Sequence, residues 1–236
     1  MDTIKKSFDS FIKKHGKKES IQILIDCIIN KEYINYNNFT LSKYNYNFIY
    51  FGSSTKEPWH HLSNLAEIKN TIEYNGLIYN SVEHAFQAQL FNESDRIRFS
   101  KDGDLGSWHG LKYFFKPDEI DKKFKYWSKK FNIGIVAKMA SNKKYHKKLK
   151  LTPIKTDRES TFNLWFGILI KKYKIQFYRD ILLKTNDHYL CEFDRLGATY
   201  PNRVFWGGMI VEKKLYGNNE MGKYLMAIRD FIQKIN

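Results

Sequence analysis

The stretch Thr71–Phe91, TIEYNGLIYNSVEHAFQAQLF, restricts the fold more than any other part of this chain. Asn75-Gly76 stands between two short β-prone runs, and this dipeptide accepts the positive φ angles of a type I′ turn, so a hairpin is predicted. A helix follows almost at once. Ser81 fits its N-cap, with Val82, Glu83 and His84 in the first turn. Gln87, four residues beyond Glu83, falls on the same face, while Val82, Ala85 and Phe86 can turn to a core. A carboxylate in a first turn is well placed by the helix dipole, so Glu83 taken alone reads as a capping residue. The Glu83/Gln87 pair also makes a polar patch that suits a pocket wall.

The remaining pattern is mostly helical. Ile4, Phe8, Phe11 and Ile12 share one face and Ile21, Leu24, Ile25, Ile28 and Ile29 another, predicting a helical extension and linker over residues 1–45. The main domain is expected over 46–236. It would open on a strand at Phe48–Ser54 and carry helices over Phe124–Met139 and Phe162–Lys184, with Pro153 in the loop between. His188–Asp194 and Val204–Trp206 are strand-like, and a closing helix runs from about Asn219 with Leu225, Ile228, Phe231, Ile232 and Ile235 inward. The predicted class is α+β: a predominantly helical single domain with a small antiparallel sheet. Hydrophobic residues make up 42% of the 236, enough for a real core.

No apolar run reaches 18 residues and the N-terminus lacks the core of a signal peptide. Only Cys27 and Cys191 occur, so a disulfide framework is not expected and a reducing, intracellular setting is. The net charge of +15 invites a polyanion. Thirteen lysines crowd the 111–150 region against Asp118, Glu119 and Asp121, which marks it as a candidate DNA or RNA contact. Lysine rich in company with Ile, Asn and Tyr is equally what an AT-rich coding bias produces.

The histidines show no HExxH, and His60-His61 are adjacent rather than at ligand spacing, so no metal and no cofactor is expected. Nucleophile-elbow, GxGxxG and P-loop signatures are absent. The last third is richer. CEFDR (Cys191–Arg195) sets Glu192 and Asp194 on one face of a strand beside Arg195. FWGG (Phe205–Gly208) offers an indole beside a backbone open to close approach, and Gly217-Asn218-Asn219 ahead of a helix offers N–H groups for an anion. Acids, an indole and an anion site together suit a phosphorylated, ring-bearing ligand.

In order along the chain stand Phe51, LSNL (Leu62–Leu65), NGLIYNSVEHAFQA (Asn75–Ala88), CEFDR, FWGG and GNNEMGKYLMAIR (Gly217–Arg229). This series resembles the NADAR, or YbiA-like, N-glycosidase family from about Phe48 to Phe231. The resemblance implies hydrolysis of an N-glycosidic bond between a nucleobase or aminopyrimidine and ribose phosphate or ADP-ribose, as in early riboflavin intermediates or ADP-ribosylated guanine. By motif match Glu83 would be the key carboxylate and Asp194 a second acid. Phe51, Asn64, Gln87, Arg195, Trp206, Gly217 and Asn218 would bind substrate, with Arg229 supporting the site or touching phosphate. Two departures bear on catalysis. Leu90 stands where the family often has lysine, making Lys138 the candidate replacement, and Arg203 stands where an acid often precedes W-G. Trp108, Trp127 and Trp165 each fit the family's middle tryptophan; Trp127 is carried as the substrate-binding one. The rival readings are a non-catalytic ADP-ribose or NAD reader and a basic nucleic-acid-binding protein.

Overall fold

A computed structural model of the chain describes residues 47–69, 71–115 and 133–234. The expected N-terminal extension, most of the Phe124–Met139 helix, and Trp127 lie outside the described residues. In chain order the elements are β1 (Phe48–Phe51), β2 (Ile72–Tyr74), β3 (Leu77–Tyr79), α1 (Val82–Ala88), α2 (Glu93–Arg96), α3 (Trp108–Leu111), α4 (Gly134–Ala140) and α5 (Lys143–Leu149). Then come α6 (Arg158–Tyr173), α7 (Gln176–Leu183), β4 (Tyr189–Glu192), β5 (Met209–Val211), β6 (Lys214–Tyr216) and α8 (Glu220–Lys234). The described residues form two compact units: one central in the sequence, within 60–175, and one flanking it in the sequence, from 47–59 and 176–234. The class is the expected α+β with helices dominant.

In the central unit β2 and β3 pair antiparallel, Ile72 opposite Tyr79. Asn75 and Gly76 take φ of 50° and 76°, the geometry the sequence predicts. Every residue of α1 is buried, and the helix packs on α4 and α6. Two devices allow that approach. Ala85 and Ala88 are small, and Phe86 stacks on Trp165 with ring centroids 3.9 Å apart and planes 14° from parallel. Gly134 opens α4 against the LSNL loop, where a Cβ would meet the Leu65 Cα at 2.7 Å.

In the flanking unit β1 runs parallel to β4, Phe48 opposite Tyr189 and Phe51 opposite Glu192. The sheet expected was a small antiparallel one; this pair is parallel, an arrangement that the long connection between the two strands allows. β5 and β6 form a second antiparallel hairpin. α8 packs on β4 and α7, burying Leu225, Ile228, Phe231 and Ile232; each such side chain contributes about 1.5–3 kcal/mol when fully buried.

Two helix and strand expectations need correction. The single helix over 162–184 is two, α6 and α7. The break falls after Tyr173, where the Lys174 N–H still bonds to the Ile170 carbonyl but the Ile175 N–H turns to Lys172, three residues back. Val204–Trp206 is not a strand, because its carbonyls accept from the start of α8 instead of from a neighbouring strand. No helix among the described residues is long and apolar enough to cross a membrane.

Candidate functional site

Glu83 is only 6% exposed although it sits in the first turn of α1. The capping role that the sequence offers it belongs to Ser81. The Ser81 Oγ accepts from the His84 N–H at 3.1 Å and meets His84 Nδ1 at 2.8 Å. The Glu83 carboxylate is left for another use. Its Oε1 accepts from Gln87 Nε2 at 2.8 Å, the i to i+4 contact that the spacing predicts. Among the described residues no cation pairs with it. Its backbone N–H donates to the Asn64 carbonyl at 3.0 Å, so the LSNL loop is fastened to the helix start. Glu83, Gln87 and Asn64 are thereby brought together, all buried.

His84 is fully enclosed, and burial pulls its pKa down from 6.5 to about 3, against a backbone hydrogen bond with Leu105 that favours the charged form. It is neutral at pH 7 and serves packing and the Ser81 contact. Lys138 is the one exposed residue of α4, its neighbours on the helix being buried, and it makes no ion pair with Glu83. Leu90 is half-buried and its carbonyl accepts from Ile154 N–H at 2.9 Å. Trp165 is committed to the stack with Phe86, and Trp108 is half-buried.

The flanking unit holds the other motif residues. Phe51 is fully buried in β1 and its carbonyl accepts from Phe193 N–H at 2.8 Å. Asp194 is half-buried; its N–H donates to the Gly208 carbonyl and its Oδ1 accepts from Leu196 N–H at 2.9 Å, capping a 3-10 turn. Arg195, next in that turn, is exposed. Trp206 is half-buried, its ring edge-on to Phe205 at 4.9 Å and to Tyr224 at 6.3 Å.

Two expectations for this region change and a third narrows. The N–H groups of Asn218, Asn219, Glu220 and Met221 are not open to an anion: they donate to the carbonyls of Val204, Gly207, Phe205 and Trp206 at 2.8–3.1 Å. Gly217 serves the same junction, with φ of 104° and no room for a Cβ against the Gly207 carbonyl 2.7 Å away. The glycines after Trp206 are likewise filled by protein, since a Cβ on Gly207 would lie 2.5 Å from the Glu192 carbonyl oxygen. Arg229 is buried and donates from Nη1 to Thr185 Oγ1 at 3.0 Å and to the His188 carbonyl at 2.8 Å, tying α8 to the turn before β4. Of the two expected roles, supporting the site or touching phosphate, these bonds fit support, with the guanidinium bracing β4.

The sequence reading missed the side-chain role of Asn219 and passed over Lys223. Asn219, fully buried with φ of 51°, accepts from Glu192 N–H and donates to Tyr189 Oη and the Leu190 carbonyl, all within 3.1 Å. The available signal was an asparagine just ahead of a helix, a residue type that tolerates positive φ. Lys223, 3% exposed, pairs with Glu220 at 2.8 Å in the first turn of α8. Asn218, just before Asn219, is half-buried and its backbone N–H donates to the Val204 carbonyl.

No family model and no curated protein matches the sequence. Among solved structures the chain is similar to the NMR structure of the Escherichia coli protein YbiA. The likeness has a TM-score of 0.51 at 20% identity and covers 80% of this chain and 86% of that one. With hairpin, α1, the β1–β4 pair and α8 already in place, the comparison shows that this chain has the YbiA-like fold.

Proposed function

We propose that the protein hydrolyses the N-glycosidic bond joining a nucleobase or aminopyrimidine to ribose phosphate or ADP-ribose. The observation that carries this reading is Glu83: a buried carboxylate, relieved of capping by Ser81 and oriented by a single amide hydrogen bond from Gln87. Departure of the base builds positive charge at the anomeric carbon. A carboxylate held close in a poorly solvated wall stabilises that charge and orients the attacking water. The YbiA-like fold and the order of the sequence motifs support the same assignment. Asp194 is the second candidate acid. Trp206 is the candidate for base stacking, an interaction typically worth ~1–3 kcal/mol per base.

The substrate test uses two compounds, ADP-ribosylated DNA and an aminopyrimidine ribose phosphate. Release of free ADP-ribose or ribose phosphate supports the enzyme, and the compound that is cut names the substrate class. Tight binding of ADP-ribose without release supports a reader, the reading favoured by Leu90 and by the outward-facing Lys138. Affinity for unmodified DNA falling steeply with salt supports nucleic-acid binding through the 111–150 region, where Lys143, Lys144, Lys147, Lys148 and Lys150 are exposed on and after α5.

A further inference from the structure

The central unit contains a fully buried cation that the proposed chemistry leaves unused. Lys172, near the end of α6, is 0% exposed. Its ammonium donates to two consecutive carbonyls of the LSNL loop, Leu62 at 3.2 Å and Ser63 at 3.0 Å. Burying an ammonium is costly unless its donors are satisfied, and an apolar side chain of equal volume would fill the same space without that cost. The loop it grips leads straight to Glu83. Asn64, the next residue, accepts from the Glu83 N–H, while Leu65 N–H returns to Ser63 Oγ at 3.2 Å and the Leu65 carbonyl accepts from Gly134 N–H. Three elements, α6, α1 and α4, thus converge on four consecutive residues, with Lys172 donating to the first two carbonyls.

We infer that Lys172 is a positioning residue: through the Leu62–Asn64 carbonyls it fixes where α1 begins and hence where the Glu83 carboxylate points. The inference rests on the reading of Glu83 as the working acid, but the geometry it asserts exists with or without turnover. A lysine suits the task because one compact ammonium can donate to two adjacent carbonyls at once.

The experiment compares wild type with Lys172→Met, which keeps the volume and removes the donors, and with Lys172→Arg, which keeps charge and donors. Amide hydrogen exchange is followed at Glu83, Leu65 and Ala66, and at Phe86, Ala88 and Leu225 as references; turnover is measured on whichever substrate the wild type cuts. In Lys172→Met the Glu83, Leu65 and Ala66 amides should exchange at least tenfold faster while the reference amides hold. kcat should fall about 100-fold with KM within about twofold, because orientation rather than binding is lost. Lys172→Arg should recover both readouts to within about fivefold. Uniform acceleration at every amide, or failure of Lys172→Met to fold while Lys172→Arg folds with Glu83 exchange and kcat no different from wild type, would reduce Lys172 to a general stabilising residue and overturn the inference. Local acceleration in a protein that cuts neither substrate would leave the Lys172–Glu83 linkage standing and remove the glycosidase reading instead.

Discussion

Replacing Glu83 by glutamine changes one oxygen for an amide and almost nothing in shape. Ser81 still caps α1 and the Glu83 backbone still donates to Asn64, so the fold should persist with a melting temperature close to wild type. Loss of the charge should lower kcat by about 100-fold or more, the scale set by removing one electrostatic stabiliser of a transition state. Product release alongside a thermal melt tests this, and undiminished turnover in folded protein would remove Glu83 from the mechanism. Asn219 makes the opposite prediction. It touches no proposed chemistry, yet Asn219→Ala strands the Glu192 N–H and the Leu190 carbonyl in the interior and keeps a non-glycine residue at positive φ. The expected cost is about 2–4 kcal/mol in urea unfolding, from the unsatisfied buried groups. An effect under about 0.5 kcal/mol would show that the α8–β4 junction is held by the backbone bonds alone.

At the scale of elements, the two hairpins show what the sequence can and cannot disclose. β2–β3 is legible because Asn75-Gly76 pre-sets its turn. β5–β6 turns at Glu212 and Lys213, both at positive φ (48° and 65°), and neither residue type signals such a turn. Because a left-handed conformation costs an L-residue about 1–2 kcal/mol, Glu212→Asn with Lys213→Gly should stabilise the protein by about 1 kcal/mol. A rise in the urea midpoint with unchanged slope checks it, and a fall would mean the Lys213 side chain contributes more than its backbone strain costs. The same contrast governs the site. Glu83 and Gln87 could be paired by helical spacing alone. The start of α8 was misread because a helix N-terminus looks open in one dimension. The four carbonyls that fill it come from residues 204–207, at the end of a loop whose course no local pattern dictates. Arg229 shows a related limit: a charged residue in a motif can support a site or touch a ligand, and only the Thr185 and His188 oxygens beside it favour support.

The whole molecule's stability carries a pH signature that originates in α1. An unfolded histidine binds its proton near pH 6.5, whereas burial holds His84 unprotonated down to about pH 3. Between those values the unfolded chain binds more protons at this site than the native one, so native stability rises with pH and is lost as pH falls. The slope approaches about 1.4 kcal/mol per pH unit, and taking the protein from pH 6.5 to pH 5 should cost about 2 kcal/mol from His84 alone. Among the other histidines described here His60, His109, His146 and His188 are all at least partly exposed, and His61 is buried at 8% exposure. The His84 variant separates its share of the loss from that of His61. His84→Asn keeps a polar group toward Ser81 but cannot take up the proton, and its stability should be nearly flat across pH 5–6.5, whatever its absolute value. Urea unfolding at pH 7, 6 and 5 followed by circular dichroism gives both curves. If the wild type is as stable at pH 5 as at pH 7, or if His84→Asn keeps the full slope, the acid sensitivity belongs to other groups and the α1 core tolerates a charged imidazole. If the difference appears as expected, it also sets the window for the activity measurements. Turnover would be measured at pH 7 or above, where the loss of Glu83 or of the Lys172 clamp is not confused with partial unfolding of the unit that carries them.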